Sequence, residues 1–376
     1  MEFTLSDDAI MIQKVARDYL REKCPGSFLR EMAQDETGFS RVMWKEIAEL
    51  GWPGILYEEE YGGSAASFLD MFVLFEEIGR VLFPSPLFCS AVLSGLIISE
   101  AADEDMKRTR LPAIIRGDEI MTTALLDEWG NLDFDEPGLL AAEPRQGTCV
   151  VQGTRLLVPY AHVADAIIVC AHAVARTGEG PTLFLMEKGA ARQKIVPLET
   201  MSGEKTFAVI FEGTEVPASN IIGAIGQGAA CVRRILPKAI ALKCGEMLGG
   251  LRRVVEMTVG HVKERRQFGA PLGSLQAVQH HCADMATYLE TTRLIAYQAA
   301  SLISEGMPCE KEVAMAKAWC SDAYKQATWI GHQLHGGIGF TEEYDLHFFY
   351  KHAKESELAF GDARSHRAAV ADFMGI

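Results

Sequence analysis

The sequence holds no Cys-x-x-Cys pair and no His-Glu-x-x-His motif. Its nine cysteines are an odd number, scattered from Cys24 to Cys320. That argues against a disulfide framework or a zinc site, and for reduced, mostly buried thiols in a cytoplasmic protein. Basic charge is also short, since 36 Lys and Arg face 51 Asp and Glu, a net charge of −15. A general nucleic-acid binder needs a basic face, so that class is excluded. An anionic ligand would need positive charge gathered locally. Long apolar runs are absent too. The stretch from Val81 to Ile98 is broken by Pro84, Ser85, Pro86, Ser90 and Ser94, which points to a buried loop and a short helix and not to a membrane span. The start, MEFTLSDDAI, lacks the basic residues and apolar core of a signal peptide. What is present is an ordinary globular composition, 48% hydrophobic and 23% charged, in 376 residues. That length suits two or three domains.

Three textures follow one another. Residues 1–118 read as helical. Ser6 is placed to cap a helix from Asp7 to about Arg21, with Ile10, Val15 and Leu20 on its apolar face. Ser40 caps Arg41 to Leu50, which Gly51 ends. A third helix runs from about Ser67 to Leu82. Residues 119–225 carry short β-rich runs (Ile120–Leu126, Cys149–Val151, Arg155–Val158, Ala166–Val169, Thr182–Met186, Lys194–Val196 and Phe207–Phe211), the pattern of a small antiparallel barrel or sandwich. Residues 226–376 return to longer helices, predicted at about 229–264, 275–304, 310–334 and 345–373. In the second of these, with Ser274 as its cap, Leu275, Val278, Cys282, Met285, Leu289, Thr292, Ala296, Ala299 and Ile303 recur at spacings of 3 and 4, the seam of an antiparallel four-helix bundle.

Three local sequences have the makings of a site. In Arg265-Arg266-Gln267-Phe268-Gly269, followed by Gln276, a helix end meets a tight turn. With Lys263 it forms a positive spot in an acidic chain, suited either to a pyrophosphate or to solvent. His335-Gly336-Gly337-Ile338-Gly339-Phe340-Thr341-Glu342-Glu343-Tyr344 lets backbone approach a ligand closely, or serves only as an interhelical turn. Gly223-Ala224-Ile225-Gly226-Gln227-Gly228 has no βαβ unit around it and reads as the entry loop to the bundle.

With Leu50-Gly51-Trp52-Pro53-Gly54-Ile55, Glu59-Glu60-Tyr61-Gly62-Gly63 and Val216-Pro217-Ala218-Ser219-Asn220, these stretches resemble the acyl-CoA dehydrogenase family over nearly the whole chain. The resemblance implies an N-terminal helical domain, a middle β domain and a C-terminal four-helix bundle, in a dimer or tetramer. It implies FAD-dependent α,β-desaturation of an acyl-CoA thioester, with electrons passed to an electron-transfer flavoprotein. It places Arg265, Phe268 and Gln276 at the pyrophosphate or adenine side of a neighbouring subunit's FAD. Gln333, Leu334, His335, Gly336 and Gly337 would contribute the other face of that site. No metal is implied.

The sequence departs from the family where the chemistry lies. The usual base, a Glu, falls at Phe360, and the alternative position on the first bundle helix falls at Ala239. Asp362 is two residues past the first and is a substitute base, or else it caps the final helix or faces the wall of the FAD pocket. Glu246 lies seven residues past the second, about 10 Å along a helix. Where the family has a Thr-Glu-Pro motif the chain reads Leu125-Leu126-Asp127-Glu128-Trp129-Gly130. A Trp-Ile-Thr stretch that covers the flavin is replaced by Leu157-Val158-Pro159-Tyr160. Three readings follow: a self-sufficient enzyme with an unusual base, a partner subunit of a heteromeric acyl-CoA dehydrogenase acting on bulky or steroid-derived thioesters, or a flavin-free scaffold.

Overall fold

The Ser6 hydroxyl accepts from the Ala9 amide and starts the first helix, α1 (Asp7–Lys23). α2 (Gly26–Gln34) and α3 (Arg41–Glu49) follow, the latter capped by Ser40. α4 (Phe68–Val81) opens on a full capping box between Ser67 and Asp70. The interrupted apolar run becomes a buried π-helical turn, Phe88–Ser94, leading into α5 (Gly95–Ala101) and then α6 (Glu104–Ile115). The strands are β1 (Met121–Ala124), β2 (Leu140–Arg145), β3 (Thr148–Pro159), β4 (Ala166–Ala175), β5 (Gly178–Glu187), β6 (Gln193–Leu198), β7 (Thr206–Pro217) and β8 (Ile221–Ile222). Then come α7 (Gly228–Glu264), a small hairpin β9 (Arg266–Gln267) and β10 (Ala270–Pro271), α8 (Gln276–Ser304), α9 (Glu310–His335), α10 (Leu346–Leu358) and α11 (Ala363–Met374). This computed structural model describes residues 5–130, 132, 139–145, 147–175 and 178–376.

By packing, the chain divides into two units, and α7 runs through the division between Ala239 and Ile240. One unit holds residues up to Glu31, Ser67–Phe83 and Ile240–Ile376. Its centre is α4, whose residues Phe68 and Asp70–Gly79 are buried. Two glycines let α4 and α7 approach backbone to backbone. A Cβ at Gly79 would sit 1.9 Å from the Glu246 carbonyl, and one at Gly249 would sit 1.9 Å from that of Glu76. The two acids that α4 buries are both matched. Glu76 takes Arg252 Nε at 3.0 Å and the Tyr297 hydroxyl at 2.7 Å, and Glu77 takes Arg17 at 2.6 and 3.0 Å. Unmatched, each would be a costly buried charge.

The other unit holds Met32–Ala66 and Pro84–Ala239. Its sheet runs β6-β7-β3-β2-β4-β5-β8. β1 shares the edge of β4 with β2: Met121–Ala124 pair with Ala166–Val169, and Leu140 and Ala141 with His172 and Ala173. An isolated bridge from Leu126 to Leu156 ties the end of β1 to β3. The inward face buries Val151, Val169, Phe184, Val209 and Phe211 in one cluster.

Several sequence expectations need correction. The buried stripe of α1 is Ala9, Ala16 and Leu20, while Ile10 and Val15 are exposed, because small residues suit the face packed on α4. The runs Cys149–Val151 and Arg155–Val158 are one strand, β3. The sheet is not wholly antiparallel, since β1 and β2 lie parallel to β4. Ser274 caps nothing. It sits in a 3₁₀ turn and donates to the Pro271 carbonyl, and α8 starts one residue past Leu275. The predicted helix 345–373 is two helices, broken at Ala359–Asp362.

Candidate functional site

Two histidines draw the Arg265 and Gly336 motifs together at one end of the bundle. His261, in the last turn of α7, stacks on His335 at the end of α9, ring centroids 4.3 Å apart. His335 Nδ1–H donates to the Gly331 carbonyl at 2.7 Å, so its Nε2 accepts from the Tyr344 hydroxyl at 3.0 Å. Burial, with His261 and His332 beside it, pulls His335 down to about 4. The ring is therefore neutral at pH 7 and keeps this tautomer. Burial and the neighbouring Arg265 lower His261 as well.

Past His261 the chain turns through β9 and β10, and the Leu272 amide donates back to the Arg265 carbonyl at 2.8 Å. Gly273 lies against the main chain of Val262, where a Cβ would stand 3.2 Å from the carbonyl oxygen. That close approach brings the start of α8 and Gln276 beside the end of α7. Past His335, Gly336 takes φ +63 and ψ −142, a conformation confined to glycine. No atom lies within 4 Å of where a Cβ would stand on Gly336 or Gly337. Arg265, Phe268, Gln276, Gln333, Gly336 and Gly337 are all exposed. Leu334 is half-buried, and His335 is buried and braces the others. Phe268 is 90% exposed. Among the described residues Arg265 has no carboxylate partner. A guanidinium without a partner, exposed amides and open glycines form a cradle that fits the phosphates and flat base of a dinucleotide.

Backbone strain marks the same positions. Among the described residues, seven non-glycine residues have positive φ: Ala65, Leu82, Leu157, Tyr160, Arg192, Phe268 and Phe360. Four of them are positions that the sequence assigns to cofactor, flavin cover or base. Strain of this kind, about 1–3 kcal/mol per residue, collects where function holds it. Leu157 and Tyr160 lie in and just after β3. Tyr160 is buried with its ring edge-on to Phe39 at 5.7 Å. In the same strand Arg155, which no sequence pattern singles out, is fully buried and donates to the Cys170 carbonyl at 2.6 Å. Burial lowers it to about 10.

The model of the acyl-CoA dehydrogenase N-terminal domain matches residues 6–118, and that of the C-terminal domain matches 226–375. The chain belongs to the acyl-CoA dehydrogenase family. Its relatives include acryloyl-CoA reductase (NADH) of Anaerotignum propionicum, 28% identical over 99% of this chain and 95% of that protein. Among solved structures it is similar to a chain of the ChsE4-ChsE5 complex from Mycobacterium tuberculosis, at 25% identity and TM-score 0.91 over 100% of this chain and 99% of that one. It is also similar to a chain of the Tcur3481-Tcur3483 steroid ACAD, at 28% identity and TM-score 0.88 over 99% of each. The family is one of flavoprotein oxidoreductases, and no helix among the described residues is long and apolar enough to cross a membrane.

The sequence reading puts the family's two base positions at Phe360 and Ala239, and neither residue carries a carboxylate. Phe360 is half-buried and Ala239 is buried. The Asp362 carboxylate accepts the Ser365 amide at 2.8 Å and caps α11. That bond, with those to Arg364 and the Ser365 side chain, holds it below the ordinary carboxylate range. Glu246 is half-buried between Lys243 Nζ and His352 Nε2, each at 2.7 Å. A residue missed from sequence alone is Lys317 on α9, buried against the 359–362 turn. Its signal was readable: it lies three or four residues from the apolar positions Val313, Ala314 and Cys320 on one helix face.

Proposed function

We propose that this chain is the cofactor-cradling subunit of a heteromeric, FAD-dependent acyl-CoA dehydrogenase. The observation that carries this reading is an asymmetry. The cradle of Arg265, Gln276 and the Gly336 turn is intact and unfilled by its own side chains, while every carboxylate near a base position is absent or engaged. Desaturation needs a base within hydrogen-bond reach of the α-proton. Phe360 and Ala239 cannot accept one, Asp362 is spent on a helix cap, and Glu246 is held by Lys243 and His352. A second chain therefore supplies the base.

Bound FAD would supply the hydride acceptor. In this chain Arg265 would hold the pyrophosphate by paired hydrogen bonds, Gln276 and Gln333 would offer amides, and Gly336 and Gly337 would admit the cofactor to close backbone approach. Phe268 would present its ring to the flat base. The similarity to a steroid ACAD supports a bulky acyl group, and the similarity to a chain of a two-protein complex supports a heteromer. The nine free cysteines, seven of them buried, suit a reducing compartment such as the cytoplasm. An electron-transfer flavoprotein is the natural electron acceptor on this reading.

The test is to purify the chain alone and with a second acyl-CoA dehydrogenase chain that carries Glu at the usual base position. Bound FAD per chain and bleaching of the flavin by straight-chain and steroid-side-chain CoA thioesters are measured. The expected result is stable FAD and bleaching only in the mixture. One FAD per chain with turnover by this chain alone would overturn the proposal. In that case Asp362→Asn, which keeps the cap, decides whether Asp362 is the base.

A further inference from the structure

The turn Ala359–Asp362 carries the residue at the usual base position and is held from three sides. Lys317 Nζ donates to the Glu357 carbonyl at 3.0 Å and to the Gly361 carbonyl at 2.9 Å, with Ser321 Oγ at 3.2 Å. His366 Nε2–H donates to the Phe360 carbonyl at 3.0 Å. Asp362 caps α11 from the far side. Inside this clamp Phe360 takes φ +58 and Gly361 φ +98. Left-handed backbone is unfavourable for phenylalanine, so the clamp and not the residue's own preference sets it.

Lys317 is 0% exposed, and none of its hydrogen bonds goes to a carboxylate. Burying an ammonium this way is strongly unfavourable unless its protons are matched. Here they meet two carbonyls, one in the last turn of α10 where a cation also complements the helix dipole. Burial lowers its proton affinity accordingly. The sequence pattern runs on as one helix over 345–373, and Lys317 is the group that takes up the carbonyls freed where that helix breaks.

We infer that Lys317 is a positioning residue: it holds the break in the last bundle helix and presents residue 360 in one fixed orientation. This rests on the reading of 360 as the base position. The platform remains built even though it now bears a phenylalanine, so a carboxylate placed there stands where a base is needed. Lys317 never touches substrate and acts through the turn alone.

Two measurements on the full chain test this. In Lys317→Met, and in Lys317→Gln as the milder change if the first fails to fold, amide hydrogen exchange over 359–366 should quicken at least tenfold while that of α8 stays unchanged. Unchanged exchange in the turn, or equal acceleration throughout the bundle, would overturn the positioning role. In Phe360→Glu, the exchange of α-protons of an acyl-CoA thioester with D₂O should rise at least tenfold over the unmodified chain. Adding Lys317→Met or Lys317→Gln should remove that gain. No gain in folded Phe360→Glu, or a gain indifferent to residue 317, would overturn the inference. The subunit reading falls separately, only if the unmodified chain turns over alone.

Discussion

Glu246 offers the sharpest quantitative prediction. Its side chain is 12% exposed in the bundle, with Lys243 Nζ at 2.7 Å on one oxygen and His352 Nε2 at 2.7 Å on the other. His352 Nδ1 lies 3.3 Å from the Tyr324 hydroxyl, so α7, α9 and α10 meet at this network. Burial pushes the Glu246 carboxyl up, but the charge of Lys243 and the bond from His352 outweigh it, and the group falls from 4.5 to about 2. At about 1.4 kcal/mol per factor of ten in proton affinity, the partners contribute on the order of 3 kcal/mol. The sign follows from the depressed value. The contribution is complete above the unfolded value near 4.5 and is lost as pH falls toward 2. The assay is urea unfolding of the wild-type chain and Glu246→Gln from pH 7 to pH 3, at one chain concentration because subunit association would shift both. The gap should be about 3 kcal/mol at pH 7, narrow below about pH 4.5 and fall to roughly half by pH 3. A gap that stays constant with pH would refute the reasoning, since it would show that the substitution costs packing and not charge.

Three other perturbations have defined outcomes. Gly79→Ala drives a Cβ into the Glu246 carbonyl at 1.9 Å. Because backbone and not a flexible tip must give way, it should cost about 3 kcal/mol or more, seen as a lowered unfolding temperature or loss of soluble protein. Arg265→Ala should weaken FAD binding about 10- to 100-fold, the range for charge-assisted hydrogen bonds. It should leave the unfolding temperature of the FAD-free chain unchanged, since Arg265 has no carboxylate partner within the described chain. Asp362→Ala should lower the unfolding temperature and Asp362→Asn should not, because asparagine caps a helix as well as aspartate. Equal effects would show that the cap is not what Asp362 does.

Much of the helical scaffold could be read because its signals are local. Ser6, Ser40 and Ser67 each sit one residue before an amphipathic run, and each caps a helix. Met285, Thr292, Ala296 and Ala299 of the predicted seam are buried, as a repeat of 3 and 4 requires. What escaped was non-local. Ile10 and Val15 have the hydropathy of a buried face, but α1 packs through alanines, and only the neighbouring helix decides that. Arg155 is a charged residue that no pattern would bury, and the partners of Arg155 and Lys317 are main-chain carbonyls 15 to 44 residues away. In the sheet, β1 and β2 share one edge of β4, a topology that short β-rich runs do not encode.

The broken helix at 359–362 lies between these cases. Gly361-Asp362 is a local stop-and-cap signal, glycine after a helix and aspartate before the next, and it could have been read. The conformation of Phe360 could not, because it depends on Lys317 and His366 from elsewhere in the fold. The same holds at Leu157, Tyr160 and Phe268, where left-handed backbone persists under side chains that have no need of it. Replacing a side chain at such a position leaves the hydrogen bonds that impose the conformation in place, because they run through main-chain groups. Side-chain chemistry at these positions can therefore be exchanged while the geometry endures. On the proposed reading of residue 360 as the base position, a chain can then lack the base and keep the turn that would hold it.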